Sequence, residues 1–173
     1  MSKAKEIDPS FQAITVRHDT CDLLIKGVQV SFFYYPYSQM DEFVIDKEFP
    51  GLKLASIIDI ACMKSIAISE RGTKKDFFDL YWIIHDEKLS AKSLVKTMMT
   101  KYGKARNYPF VAMSLQYFID ADEEKLPNFY KPCDWETIKN FFIIFLKTFR
   151  KRFFPITINA TKLDKPFLFV HGR

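Results

Sequence analysis

Apolar and polar positions divide this chain into a strand-like first part and a helical remainder. Residues 22–25 and 28–35 read as two strands joined at Lys26-Gly27, a hairpin signal. The second run is apolar or aromatic except for Gln29 and Ser31, which predicts a strand covered on both faces. Pro36 ends it. Residues 11–18 alternate weakly and read as a short strand or a helix end, and the polar residues 1–9 are expected to fray. Residues 38–53 are expected to form a loop with one short strand at Phe43-Val44-Ile45, closed by the Pro50-Gly51 turn signal.

From Ser56 the period changes from two to that of a helix. Ser56 with Asp59 fits a capping box, and the turns that follow are apolar nearly all round: Ile57, Ile58, Ile60, Ala61, Met63, Ile66, Ala67, Ile68. Gly72 suits the left-handed position that ends a helix. Thr73, with Asp76 as box partner, then starts a second helix with Phe77, Leu80, Tyr81, Ile83 and Ile84 on its apolar side. A third helix is predicted from a Ser90 cap through Tyr102 to Gly103. A fourth opens at Asn107-Tyr108-Pro109 and carries Phe110, Val111, Leu115, Phe118 and Ile119. Asp134 caps a last long helix, 135–153, with Ile138, Phe141, Phe142, Phe145 and Phe149 at helical spacing. Residues 156–160 and 167–171 are strand-like. The fold class is therefore α+β: a small antiparallel hairpin or sheet, then a mainly α-helical bundle. Its expected parts are 1–53, a β region; 54–153, a helical domain; and 154–173, a tail.

Composition narrows this picture. At 173 residues and 48% hydrophobic content, with 18 Phe and 8 Tyr, one domain with an aromatic-rich core is expected. A net charge of +5 permits a nucleotide or nucleic-acid partner without demanding one. Cys21, Cys62 and Cys133 are far apart, with neither disulfide nor metal spacing, so a reducing, cytoplasmic setting is expected. The N-terminus has no signal-peptide core, and no run approaches the ~20 apolar residues of a membrane span. His18, His85 and His171 have no partner pattern.

The candidate chemistry sits on both sides of Gly72. Lys64 falls between Ile57, Ile60, Ala67 and Ile68 on the helical wheel, and a charge in an apolar arc is costly unless paired. Patterning alone leaves two readings open. Lys64 can snorkel to solvent, with Asp76 a cap and Asp79 a solvated acid. Alternatively, Lys64, Arg71, Asp76 and Asp79 form a site. The acids of residues 120–124 read as solvated, and the cations Lys147, Arg150, Lys151 and Arg152 complement a helix dipole.

The motif itself carries a resemblance. Residues 59–64 (DIACMK), Ala67-Ile68 and residues 71–81 (RGTKKDFFDLY) resemble the AbiEii/AbiGii nucleotidyltransferase toxin pattern D-I-A-A-M-K-L-x-A-I-x-x-R-G-x-K-K-D-F-x-D-L-Y. Residues 26–37, 114–122 and 134–142 are similar to other parts of that family, so the likeness spans about 22–149. The resemblance implies Mg²⁺-dependent transfer of NMP from an NTP to an acceptor such as RNA, by the toxin of a toxin–antitoxin or phage-defence pair. It also implies a cognate antitoxin as partner. Carried over residue by residue, Lys64 contacts the phosphates and Asp76 acts as acid/base or orienting group. Arg71, Lys75 and Asp79 lie at the substrate. Many members have Arg at the position of Lys75, which weakens a bidentate role there.

The family's Gly-Gly/Ser loop and D-x-D acid pair have no counterpart before residue 36; the early acids Glu6, Asp8, Asp19 and Asp22 lack the spacing. The chain is accordingly expected to be the C-terminal two-thirds of such an enzyme, with an incomplete metal site. Alone it is expected to transfer no nucleotide or to do so very poorly. The competing readings are a non-catalytic helical interaction module and a decayed gene product.

Overall fold

The computed structural model describes residues 2–125, 131 and 133–153, with backbone alone for residues 2 and 148–153. The strand-like runs 156–160 and 167–171, together with His171 and the side chains of Arg150, Lys151 and Arg152, lie outside the described residues. The chain divides into two compact units, 1–38 and 39 onwards.

The first unit holds helix α1 (Ser2–Ile7) and an antiparallel sheet of β1 (Gln12–Val16), β2 (Thr20–Ile25) and β3 (Val28–Phe33), in that order. Residues 2–7 are helical where fraying was expected, and Asp8 accepts the amides of Ser10 and Lys26 just beyond them. The weak alternation at 11–18 resolves to a strand. Ile25 pairs with Val28 across Lys26 (φ 50) and Gly27 (φ 77). Two successive left-handed residues make the tight turn whose twist matches paired strands. Contrary to expectation β3 is not covered on both faces. Val28, Phe32 and Phe33 are all more than half exposed, and only Leu23 of the sheet is buried.

The second unit opens with β4 (Val44–Ile45) paired to β5 (Lys53–Leu54), so the one short strand expected in this stretch has a partner at its end. Asp46 organises the turn between them by accepting the amides of Glu48 and Phe49. Among the described residues six helices follow: α2 (Ile57–Arg71), α3 (Lys74–Asp86), α4 (Ala91–Tyr102), α5 (Tyr108–Ser114), α6 (Ile119–Asp122) and α7 (Trp135–Phe153). Ser90, Asn107 and Asp134 cap α4, α5 and α7 as their positions predict.

The predicted fourth helix is broken into α5 and α6. Between them Leu115 is buried, and Phe118 lies 5.3 Å from the Phe77 ring and 5.9 Å from Trp135. Packing Leu115 into the core and Phe118 against it outweighs the hydrogen bonds that a continuous helix would have kept. The core forms where α3 meets its neighbours. Phe77, Phe78 and Leu80 are wholly buried, packed with Ala61 and Cys62 of α2, Leu94 and Met98 of α4, and Ile138 and Phe142 of α7. Edge-to-face contacts of Phe77 with Trp135 (5.6 Å) and Phe142 (5.5 Å) give the α3–α7 seam its geometry. Among the described residues, no helix is long and apolar enough to cross a membrane.

Candidate functional site

The joint between α2 and α3 is set by three residues. Gly72 takes φ 56, ψ 31 and returns its amide to the Ala67 carbonyl, closing α2 in the left-handed conformation. A side chain there would be strained, although its Cβ would meet only the Ile68 carbonyl at 3.6 Å. Thr73 stands at the N-cap of α3, but it does not complete the expected capping box. Its hydroxyl donates to Asp76 Oδ2 at 2.6 Å instead of accepting a backbone amide. The hydroxyl is recruited because the Asp76 carboxylate is wholly buried and ionised, and must gather donors.

Four donor contacts converge on that carboxylate. Arg71 Nε lies 2.8 Å from Oδ2 and Arg71 Nη2 3.1 Å from Oδ1. Lys64 Nζ lies 3.0 Å from Oδ1, and Thr73 supplies the fourth. Lys64 and Arg71 are seven residues apart, so two turns of α2 put them on one side facing the first turn of α3. Lys64 also pairs with Asp79 Oδ2 at 2.5 Å. The structure thus brings Lys64, Arg71, Asp76 and Asp79 together. Lys75 is exposed and makes none of these contacts.

The electrostatics follow from burial against partners. Burial pushes the Asp76 carboxyl up, but the bonds from Arg71, Thr73 and Lys64 outweigh it and hold the group down at about 2. Burial likewise pushes Lys64 down, and Asp79 and Asp76 more than reverse this. Arg71 is raised chiefly by its bond to Asp76. Asp76 therefore stabilises the fold fully above the unfolded carboxyl range, near pH 4. That contribution is lost as pH falls through about 2. Screening at the solvent-facing Arg71 limits it to about 1–2 kcal/mol. Urea unfolding of the native protein and of Asp76→Asn should show their stability gap narrowing by that amount between pH 5 and pH 2. A gap that stays flat would mean the carboxylate is not held ionised.

A second buried ion pair was not anticipated from the sequence. Lys101 Nζ of α4 lies 2.6 Å from Asp59 Oδ1, and both side chains are wholly buried. The Ser56–Asp59 box does form, with Asp59 N bonded to Ser56 Oγ at 3.2 Å and Ser56 Oγ donating to Asp59 Oδ2 at 2.6 Å. The same carboxylate also accepts the Met40 amide at 3.0 and 3.1 Å. Burial raises the Asp59 carboxyl, but Lys101, Ser56 and Met40 together hold it below its ordinary range. The available signal was spacing: Lys101 continues the Leu94/Met98 stripe of α4, just as Lys64 interrupts the apolar arc of α2.

The remaining candidates have structural occupations. Glu124 Oε2 accepts the Lys74 amide at 2.7 Å at the start of α3, and Asp122 accepts from Trp135 Nε1 at 2.6 Å and Lys139 at 3.1 Å. The acids of 120–124 are therefore not all solvated. His18 is exposed, and His85 stacks on Tyr81 beside Asp86. Cys62 is wholly buried and its thiol is pushed up to about 12, which removes it as a nucleophile.

A divalent cation does not fit this arrangement. Among the described residues no group of three or more His, Cys, Asp or Glu side chains stands together. Both Asp76 oxygens are already taken by Lys64, Arg71 and Thr73.

These elements define an α+β protein with a cluster of two cations and two carboxylates at a helix–helix joint, in which Asp76 is buried and Arg71 and Asp79 reach solvent. Residues 27–154 match the family described as nucleotidyl transferase AbiEii toxin, Type IV TA system, and the chain belongs to that family. It is also 38% identical over 124 residues to aq_aa25 of Aquifex aeolicus (strain VF5), described as an uncharacterized protein. That alignment covers 72% of this chain and 58% of the relative, so the chain spans little more than half the length of the relative it matches. No solved structure matches it.

Proposed function

We propose that this protein acts in nucleotidyl transfer from an NTP, with Lys64 and Arg71 as the cations that hold the triphosphate. The observation that carries the reading is the state of Lys64. It sits in an apolar arc of α2 with 20% of its side chain exposed, kept charged by two carboxylates from α3. A cation held this way is already charged and aimed when an anion arrives. Arg71 keeps 58% of its side chain exposed while two of its nitrogens are fixed on Asp76, leaving further donors for phosphate oxygens.

In this reading Asp76 orients and does not transfer protons. A base that titrates at about 2 is far from the range that serves general base catalysis near neutrality. Its part is to aim Lys64 and Arg71. Lys75 is an outer, exposed charge and contributes by attraction alone. Membership of a toxin–antitoxin family supports an antitoxin as partner, and an RNA is the acceptor we favour. Because the described residues offer no ligand set for a divalent cation, the chain alone is expected to bind NTP and to transfer it poorly.

Equilibrium binding of each of the four NTPs to the full chain tests this. Loss of a charge-assisted hydrogen bond corresponds to about a tenfold or larger change in affinity. Lys64→Ala and Arg71→Ala should each weaken binding by about that factor, and Lys75→Ala by less than about threefold. Unchanged affinity in Lys64→Ala would overturn the reading, as would efficient transfer by the chain alone with Lys64 removed.

A further inference from the structure

We infer that Asp79 is a built-in competitor for the triphosphate: its carboxylate holds the Lys64 ammonium in the free protein and is displaced when phosphate binds. This rests on the phosphate-binding role proposed for Lys64. The two carboxylates on Lys64 differ in what they can do. Asp76 is wholly buried and tied to Arg71 and Thr73 as well, so it stays in place whatever Lys64 does. Asp79 is 42% exposed, one turn further along α3, and its 2.5 Å contact is with the same Nζ. When it lets go, water solvates it at little cost. The exchangeable partner of Lys64 is therefore Asp79.

Charge makes the same point. Lys64, Arg71, Asp76 and Asp79 sum to zero, so the free cluster exerts no net pull on an anion. An incoming phosphate must replace a carboxylate of the same sign on the same ammonium. Asp79 thus lowers affinity for triphosphate and, by the same exchange, helps release a phosphate product. Together with Asp76 it keeps Lys64 charged and aimed in the absence of ligand.

The test is calorimetric titration of the full chain with ATP and, separately, with inorganic triphosphate, at one fixed low ionic strength. Asp79→Asn removes the competing charge and keeps the shape. It should bind both ligands about fivefold to tenfold more tightly than the native protein, the scale of one charge within a few ångströms near a surface. Asp79→Ser should do the same, and Asp79→Glu should not. In a Lys64→Ala background the gain should vanish, because the exchange no longer exists. Native or weaker affinity in both Asp79→Asn and Asp79→Ser overturns the inference, and so does an equal gain with Lys64 absent. If Lys64→Ala alone leaves affinity unchanged, the phosphate-binding role itself fails. If Lys64→Ala weakens binding while Asp79→Asn does not tighten it, that role stands and the competition fails. Thermal melts of each variant show that the fold is retained.

Discussion

Replacing Asp59 with alanine is expected to lower the unfolding free energy by about 3–5 kcal/mol, the cost of breaking a buried ion pair by removing one partner. Against the ~5–15 kcal/mol that holds an ordinary domain together, this is a large share. Lys101 has no exposed side-chain surface, and its ammonium is 2.6 Å from the Asp59 carboxylate. Alanine removes the carboxylate that faces this buried ammonium. The same substitution frees the Met40 amide and the Ser56 hydroxyl, so the start of α2 and the segment leading to it loosen together.

The reverse substitution should cost less. Lys101→Met leaves Asp59 with the bonds from Ser56 and Met40, at the N-terminus of α2 where a negative charge is favoured. Combined with Asp59→Ala it should recover part of the loss, because the double variant buries no charge. Urea unfolding of the four proteins measures the coupling. Simple additivity would mean that the two groups do not depend on each other.

Both buried pairs depend on packing between segments distant in sequence, and local signals do not carry that. The helices were legible because their signals are local: Ser56, Gly72, Ser90, Asn107 and Asp134 mark ends by chemistry that acts within one turn. The break between α5 and α6 was not, because it answers to the Phe77 and Trp135 rings, which are distant in sequence. Thr73 misled for the same reason. Its position predicts a cap, but the carboxylate that takes its hydroxyl is buried by the packing of α3. At the site, Lys64 stood out as a charge in an apolar arc and Asp76 through the motif. Which atoms meet depends on the angle at Gly72. Lys101 obeys the rule that exposed Lys64, but a single cation ending the stripe of a shorter helix is also what a helix dipole favours. Without Asp59 in view the two explanations coincide.

The same rule makes Lys64 the site where stability and activity should separate. Lys64→Met keeps the length and volume of the side chain and removes the charge from an arc formed by Ile57, Ile60, Ala67 and Ile68. Removing one partner of a buried ion pair is costly where it leaves the other charge uncompensated, and the desolvation cost of the removed charge disappears with it; here the carboxylate left behind keeps its other partners. Asp76 retains three donor contacts, from Arg71 and Thr73, and Asp79 returns to water. Lys64→Met is therefore expected to change the unfolding free energy by no more than about 1 kcal/mol in either direction. In the proposed role it should nonetheless weaken ATP affinity by about tenfold or more. Urea unfolding and ATP titration on one preparation decide between the two natures of this lysine. A group retained for packing gives the opposite pattern, a loss of several kcal/mol with affinity untouched.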